Sequence, residues 1–120
     1  MKLLNTANGI VVAERITNAH SFFSRLKGLM FTRAFPAGSA LHIQPCRSIH
    51  TFFMNYAIDV VFVDSHFEVV AVLENMQPKR VSKVYSEAAS AIELPAGTIE
   101  RTGINPGMIL TRIRRGGNDL

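Results

Sequence analysis

The stretch richest in reactive side chains runs Pro45-Cys46-Arg47-Ser48-Ile49-His50-Thr51-Phe52-Phe53-Met54. It holds the chain's only cysteine, an arginine and a histidine within five positions. A cysteine near a histidine is the pattern of a thiolate nucleophile activated by an imidazole base. Spacing tests that chemistry. On a strand, residues four apart share a face but lie about 13 Å from each other at ~3.3 Å per residue. Only a helical stub over Cys46–Ile49 would bring the two groups into contact, and Pro45 before it and Thr51-Phe52-Phe53 after it favour extended structure. Cys46, His50 and His42 are also metal-donor types, with Asp59 or Glu93 to complete a set. Zinc sites, however, are usually marked by paired ligands at short spacing, and no such pairing occurs here. The plainest reading makes Cys46 a small buried hydrophobe and His50 a hydrogen-bonded histidine.

Two acids draw attention by their surroundings. Asp59 lies inside Ile58-Asp59-Val60-Val61-Phe62-Val63, and Glu93 lies between Ile92 and Leu94. A carboxylate in an apolar strand is unfavourable unless paired or hydrogen-bonded, so each is expected to have a partner, with Arg33, Arg47 or His50 as candidates. Together Arg33, Cys46, Arg47, His50, Asp59 and Glu93 form a candidate ligand-binding pocket in an otherwise apolar sheet. The alternative is a pair of strand-end acids facing solvent or capping neighbouring amides. Phe52, Phe53 and Phe62 are read as core aromatics. No catalytic signature is present: no phosphate-binding glycine loop, no H-E-x-x-H and no C-x-x-C.

These residues need elements to position them. Gly9–Arg15 is a β-branched run that reads as a first strand. Thr17 and Asn18 offer helix caps before Phe22, Leu26, Leu29 and Met30, which share one helical face; a helix over about 18–28 is expected, closed at Gly28. Ala40–Gln44 alternates as a half-buried strand, and Ser48–Met54 is another candidate strand. Ile58–Asp64 and Phe67–Leu73 are apolar on both parities, so both faces should be covered, and Asp64-Ser65-His66 between them predicts a hairpin. Met76–Lys83 reads as loop and Glu87–Ser90 as a single helical turn. Ala91–Leu94 is a strand, Ala96–Thr102 a short helix closed by Gly103, Asn105-Pro106-Gly107 a type II turn, and Met108–Ile113 a last strand. The class expected is α+β: a small β-rich domain with a curled, barrel-like, mostly antiparallel sheet and one main helix packed on it.

The 120 residues are 48% hydrophobic and 18% charged, the balance of a folded chain that can bury one core. A single domain over 1–120 is expected, with its core at about 9–113 and a basic tail at 114–120. No apolar run approaches the ~20 residues that cross a bilayer, no signal peptide is evident, and a lone cysteine suits a reducing compartment; a cytoplasmic location is the expectation. The net charge of +4 is modest. Arg112, Arg114 and Arg115 gather near one end without interleaved aromatics, which reads as a solvated terminus in preference to a nucleic-acid footprint.

Several blocks resemble the family catalogued as domain of unknown function 192: Gly28-Leu29-Met30-Phe31-Thr32-Arg33, Cys46 through Met54, Ile58 through Asp64, Glu93-Leu94-Pro95-Ala96-Gly97 and Gly103-Ile104-Asn105-Pro106-Gly107. They span roughly residues 9 to 113 in order. The resemblance implies a compact β-rich bacterial or archaeal domain. It implies no established activity, cofactor or partner. The family pattern carries over onto Arg33, Cys46, His50, Met54, Asp59, Glu93 and Gly97, while Ser65-His66 stands where many relatives have a hairpin glycine and Tyr56-Ala57 where a proline is common.

Three functional classes follow. The first is a non-enzymatic binding module for a small-molecule ligand, with its pocket around Arg47, His50, Asp59 and Glu93. The second is a small hydrolase or transferase using Cys46 or His50 with Asp59. The third is a weak RNA-binding protein acting through the basic tail. No cofactor, metal or membrane association is expected.

Overall fold

The computed structural model describes residues 1–21 and 32–114. Among the described residues, eight strands and one short helix follow in order: β1 Lys2–Asn5, β2 Ile10–Ala13, β3 Arg15–Ala19, β4 Ser39–Ile43, β5 Ile58–Val63, β6 Val69–Met76, β7 Ser90–Pro95, α1 Thr98–Thr102 and β8 Leu110–Ile113. They form two curled sheets, one ordered β2-β1-β8 and one ordered β3-β4-β7-β5-β6. All pairings are antiparallel except β3 with β4. The class is α+β, built from two open sheets instead of a closed barrel.

Both faces of the five-stranded sheet are covered, which explains why β5 is buried at all six positions. One face carries Val61, Val63, Ile92 and Leu94 and packs against Leu3, Val12 and Leu110 of the smaller sheet and Ile99 of α1. The other carries Leu41, Ile43, Ile58, Val60 and Phe62 and is closed by Ile49, Met54 and Ala88 from the loops. Burying side chains of this size stabilises the fold by about 1.5–3 kcal/mol each. β6 is one of the two edge strands and is mostly half-buried, so its apolar run is only partly covered.

The hairpin joining β5 to β6 is as expected, and its turn chemistry is visible. Asp64 Oδ1 accepts the amides of His66 and Glu68 at 2.8 and 3.0 Å, an Asx-type turn. Asn105-Pro106-Gly107 also turns as expected: the Met108 amide donates to the Asn105 carbonyl, and Gly107 has φ 92°, the left-handed conformation that position requires.

Other expectations are corrected. The first strand is β1, which lies before Gly9 and pairs with both β2 and β8. Thr17 and Asn18 are not helix caps; they lie in β3, paired in parallel with Leu41 and His42. The remainder of the helix expected over 18–28 falls mainly outside the described residues. Ser48–Met54 is not a regular strand but a loop with one isolated bridge, His50 to Val81. Residues 86–89 turn without forming a helix, and Ser90 opens β7.

Candidate ligand-binding face

The six residues singled out by the sequence do not converge. In register, Val60 lies opposite Glu93 and Asp59 opposite Leu94. Cross-strand partners share a face, so Glu93 and Asp59 point to opposite sides of the five-stranded sheet. The expected common pocket of Arg47, His50, Asp59 and Glu93 is therefore divided by the sheet itself.

Asp59 is wholly buried, and its partners are main-chain amides, the alternative to the candidate cations. Oδ1 accepts the Asn75 amide and Oδ2 the Ile99 amide, each at 2.8 Å. The second bond has a clear cause. Gly97 precedes α1 in the left-handed region at φ 93° and makes no side-chain cap, leaving an orphan donor in the first turn. Asp59 supplies that acceptor from a neighbouring strand. It pins α1 and the end of β6 to β5.

Glu93 is 3% exposed, and its Oε1 has no hydrogen-bond partner. Burial raises its pKa to about 8, since an unpaired carboxylate loses its hydration among Leu41, Val60 and their neighbours. It is a neutral acid at pH 7.

His42, the metal-donor candidate on β4, is also buried. Its Nδ1 lies 3.1 Å from Nε2 of His20, its Nε2 is unpartnered, and its ring meets Phe67 edge-on at 5.2 Å. Desolvation, then the adjacent His20 and Arg112, lower its pKa to about 4. Arg112 stacks on the other neighbour of this cluster, 4.4 Å above Phe67. Among the described residues, no group of three or more His, Cys, Asp or Glu side chains could hold a metal ion.

Cys46 and Arg47 enter a different arrangement. The Cys46 thiol donates to the Ser48 carbonyl at 3.1 Å, and His50 Nδ1 accepts the Phe52 amide at 3.3 Å. Among the described residues no hydrogen bond joins Cys46 to His50. Arg33 is exposed in the loop before β4.

The loop that carries these residues is stitched to a second one. Main-chain bonds run from Thr51 to the Arg80 carbonyl, from Lys79 to Thr51, from Ser82 to Ile49 and from Tyr85 to Arg47, at 2.8–3.1 Å. Thr51 is buried; its hydroxyl donates to the Gln77 carbonyl at 2.6 Å and accepts the Arg80 amide at 2.9 Å. Ser82 Oγ accepts the Ile49 amide at 2.9 Å. The inner residues Ile49 and Met54 anchor the ribbon on the Phe62 face of the sheet. Its outer residues are unlike the rest of the surface. Arg47, His50, Lys79, Arg80 and Lys83 are exposed, and no Asp or Glu occurs from Arg15 to Ile58 or from Asn75 to Ser86. Among the described residues the one ion pair is Lys2 with Glu14, away from the ribbon.

Exposed apolar side chains lie among these cations. Phe52 is 43% and Phe53 63% exposed, with Val81 and Val84 also outward. Only Phe62 of the three expected core phenylalanines is in the core. Phe53 adopts φ 63° and Lys79 φ 66°, a conformation that costs an L-residue about 1–2 kcal/mol. His50 and Phe52 stack at 5.5 Å with a 30° tilt. A groove of about 480 Å³ opens between Phe52, Phe53, Met54, Asn55 and Lys79, within the range of sites for small ligands. Lys79 and Arg80 escaped the sequence reading because their segment is a polar, proline-containing loop with no periodicity. The available signal was the absence of acids on both segments.

Comparison with known proteins places this architecture. The model of the family described as an uncharacterized ACR, domain of unknown function 192, matches residues 3–111. The chain belongs to this family. Among its relatives, a UPF0127 protein of Thermococcus sibiricus is 37% identical over 106 residues, covering 82% of this chain and 66% of that protein. The chain thus spans just under two thirds of that relative's length. A UPF0127 protein of Pyrococcus horikoshii is 35% identical over 103 residues, covering 82% of this chain and 87% of its own. Two solved structures share the fold. A Sinorhizobium meliloti protein whose name suggests a transcription regulator has a TM-score of 0.78 at 23% identity, over 92% of this chain and 89% of that one. A Novosphingobium aromaticivorans protein of unknown function has a TM-score of 0.79 at 19% identity, over 92% and 82%.

Proposed function

We propose that the protein is a non-enzymatic binding module whose binding face is the ribbon formed by residues 46–56 and 77–85, and that its partner is anionic. The observation that carries this reading is the set of exposed cations Arg47, Lys79, Arg80 and Lys83, with His50, on two hydrogen-bonded segments that contain no acid. Like charges gathered on one face repel one another unless a partner of opposite sign relieves them, and they draw such partners by long-range attraction. Of the residues named from the sequence, Arg47 and His50 belong to this face. Asp59 pins the fold and Glu93 is buried within it, and the Cys46 thiol donates to the Ser48 carbonyl. This reading includes a cytoplasmic setting, in keeping with a single half-buried thiol.

The test is elution from an immobilised polyanion such as heparin. Neutralising Lys79, Arg80 and Lys83 together is expected to lower the salt at which the protein elutes by far more than neutralising Arg112 and Arg114 at the other end of the chain. Equal shifts from the two triple and double variants, or a larger shift from the second, would contradict the ribbon as the binding face and favour the terminal arginines.

A further inference from the structure

We infer that the ribbon docks on an anionic lipid bilayer, with Arg47, Lys79, Arg80 and Lys83 against the headgroups and Val81 and Val84 dipping toward the acyl boundary; the inference rests on the anionic-partner reading above. Charge alone would suit any polyanion, so the argument turns on the apolar side chains set among the charges. Lys79-Arg80-Val81-Ser82-Lys83-Val84 interleaves cations with valines. Val81 is 61% and Val84 67% exposed, the latter the most exposed large apolar side chain among the described residues. Lys79 and Lys83 stand two positions either side of Val81, and His50 bridges to it from the facing segment. Lys83 is itself held 5.2 Å over the Tyr85 ring.

Two features select a bilayer over a soluble polyanion. A phosphate chain or a sulfated sugar meets the cations but offers nothing apolar to the valines, which would stay in water. A bilayer meets both in one surface, with charged headgroups outermost and the acyl boundary about 5–10 Å beneath. The second feature is the backbone. Unpaired N–H and C=O groups are costly near hydrocarbon, and the ribbon pairs its own. The amides of Lys79, Ser82 and Tyr85 donate to the carbonyls of Thr51, Ile49 and Arg47, and the Arg80 amide donates to the Thr51 hydroxyl. Ile49 and Met54 hold this platform from below, so the charges and valines are presented without a large ordering cost. The cytoplasmic setting proposed above suits the reading, because the cytoplasmic leaflet is the anionic one. No helix among the described residues is long and apolar enough to cross a membrane, which does not bear on a face that lies on its surface.

The experiment is co-sedimentation of the full chain with sucrose-loaded vesicles, either of phosphatidylcholine alone or with about one third phosphatidylserine to give the charge of an anionic leaflet. Binding only to the phosphatidylserine vesicles is expected, weakening as salt rises from about 50 to 200 mM because the Debye length shortens. Lys79→Asn, Arg80→Gln and Lys83→Gln together are expected to lower the partition coefficient by about 100-fold, roughly fivefold per charge; Asn is chosen at position 79 because it tolerates positive φ. Val81→Thr and Val84→Thr keep shape and charge at exposed positions, and each is expected to lower it by about 4-fold without changing the salt dependence. If the phosphatidylserine vesicles do not bind while heparin, poly-glutamate or an oligonucleotide binds through the same cations, the lipid inference is overturned and the anionic-partner reading stands. If none of the four binds, both fall. Equal binding to phosphatidylcholine alone overturns the inference, because the cations would then play no part. Threonine variants that bind as tightly as the unaltered chain also overturn it, because charge alone would then suffice.

Discussion

Replacing Glu93 with Gln removes a titrating group from the interior with little change of shape, and the response to pH can be worked out in advance. In the folded protein the Glu93 pKa is about 8, against 4.5 when solvated. Between those values the folded chain holds a proton that the unfolded chain releases. Each pH unit in that window therefore lowers stability by about 1.4 kcal/mol. The span is 8 − 4.5 = 3.5 units, so the full loss is on the order of 5 kcal/mol, comparable with the whole stability of many domains of this size. The contribution is fully present below pH 4.5 and lost as pH rises through 8. Gln carries no such proton. Urea unfolding at half-unit intervals from pH 4.5 to 8.5 is expected to show near-equal stabilities for the two proteins at the acid end and a gap in favour of Glu93→Gln that widens steadily. Parallel profiles across pH 5–8 would refute the reasoning, since they would mean that Glu93 ionises as freely inside the fold as outside it.

His42 supplies the opposite slope. Its pKa is about 4 in the fold against 6.5 in solution, so the stability it contributes is present above pH 6.5 and is lost as pH falls toward 4, by on the order of 3 kcal/mol; His42→Phe should flatten that acid limb in the same urea series. With both groups present their slopes cancel between pH 4.5 and 6.5, where a stability plateau is expected. Asp59→Ala leaves the buried Ile99 amide and the part-buried Asn75 amide without an acceptor and is expected to destabilise by about 2–4 kcal/mol, with Ile99 and Asn75 losing hydrogen-exchange protection; unchanged protection at both would contradict the assigned bonds. Lys79→Gly relieves the positive φ at an exposed position and is expected to leave thermal stability unchanged or raise it by up to ~1 kcal/mol, whereas a clear loss would show that the Lys79 side chain is held by the fold.

The parts of the fold that follow from local pattern were readable from the chain. The β5–β6 hairpin is announced by Asp64 between two β-branched runs, and burial of Asp59 and Glu93 follows from their apolar neighbours. Which amides Asp59 would meet was not readable, because the donors it accepts from are main-chain N–H groups 16 and 40 positions away, and every residue type carries that donor except proline. Whether two strand residues face the same side depends on register and count, and here the two acids fall on opposite sides of one sheet. β3 resembled a helix start because an edge strand carrying Thr17 and Asn18 presents the residues that also cap helices. β1 is only four residues long, too short for a period to stand out. Phe52 and Phe53 were placed in the core by the ordinary preference of phenylalanine for burial. A turn through Thr51–Met54 reverses that preference by aiming both rings outward, and the charges they meet come from a segment 27 or so positions further along the chain.

The most direct test of the binding face is an amide chemical-shift map of the labelled protein titrated with a heparin oligosaccharide, read beside the same titration with inorganic polyphosphate. Shifts concentrated at residues 47–54 and 79–85, with little change at β1, β2 or β8, are the expected result. Shifts centred on residues 111–114, or no saturable shifts with either polyanion, would contradict the ribbon as the site at which this protein meets its partner.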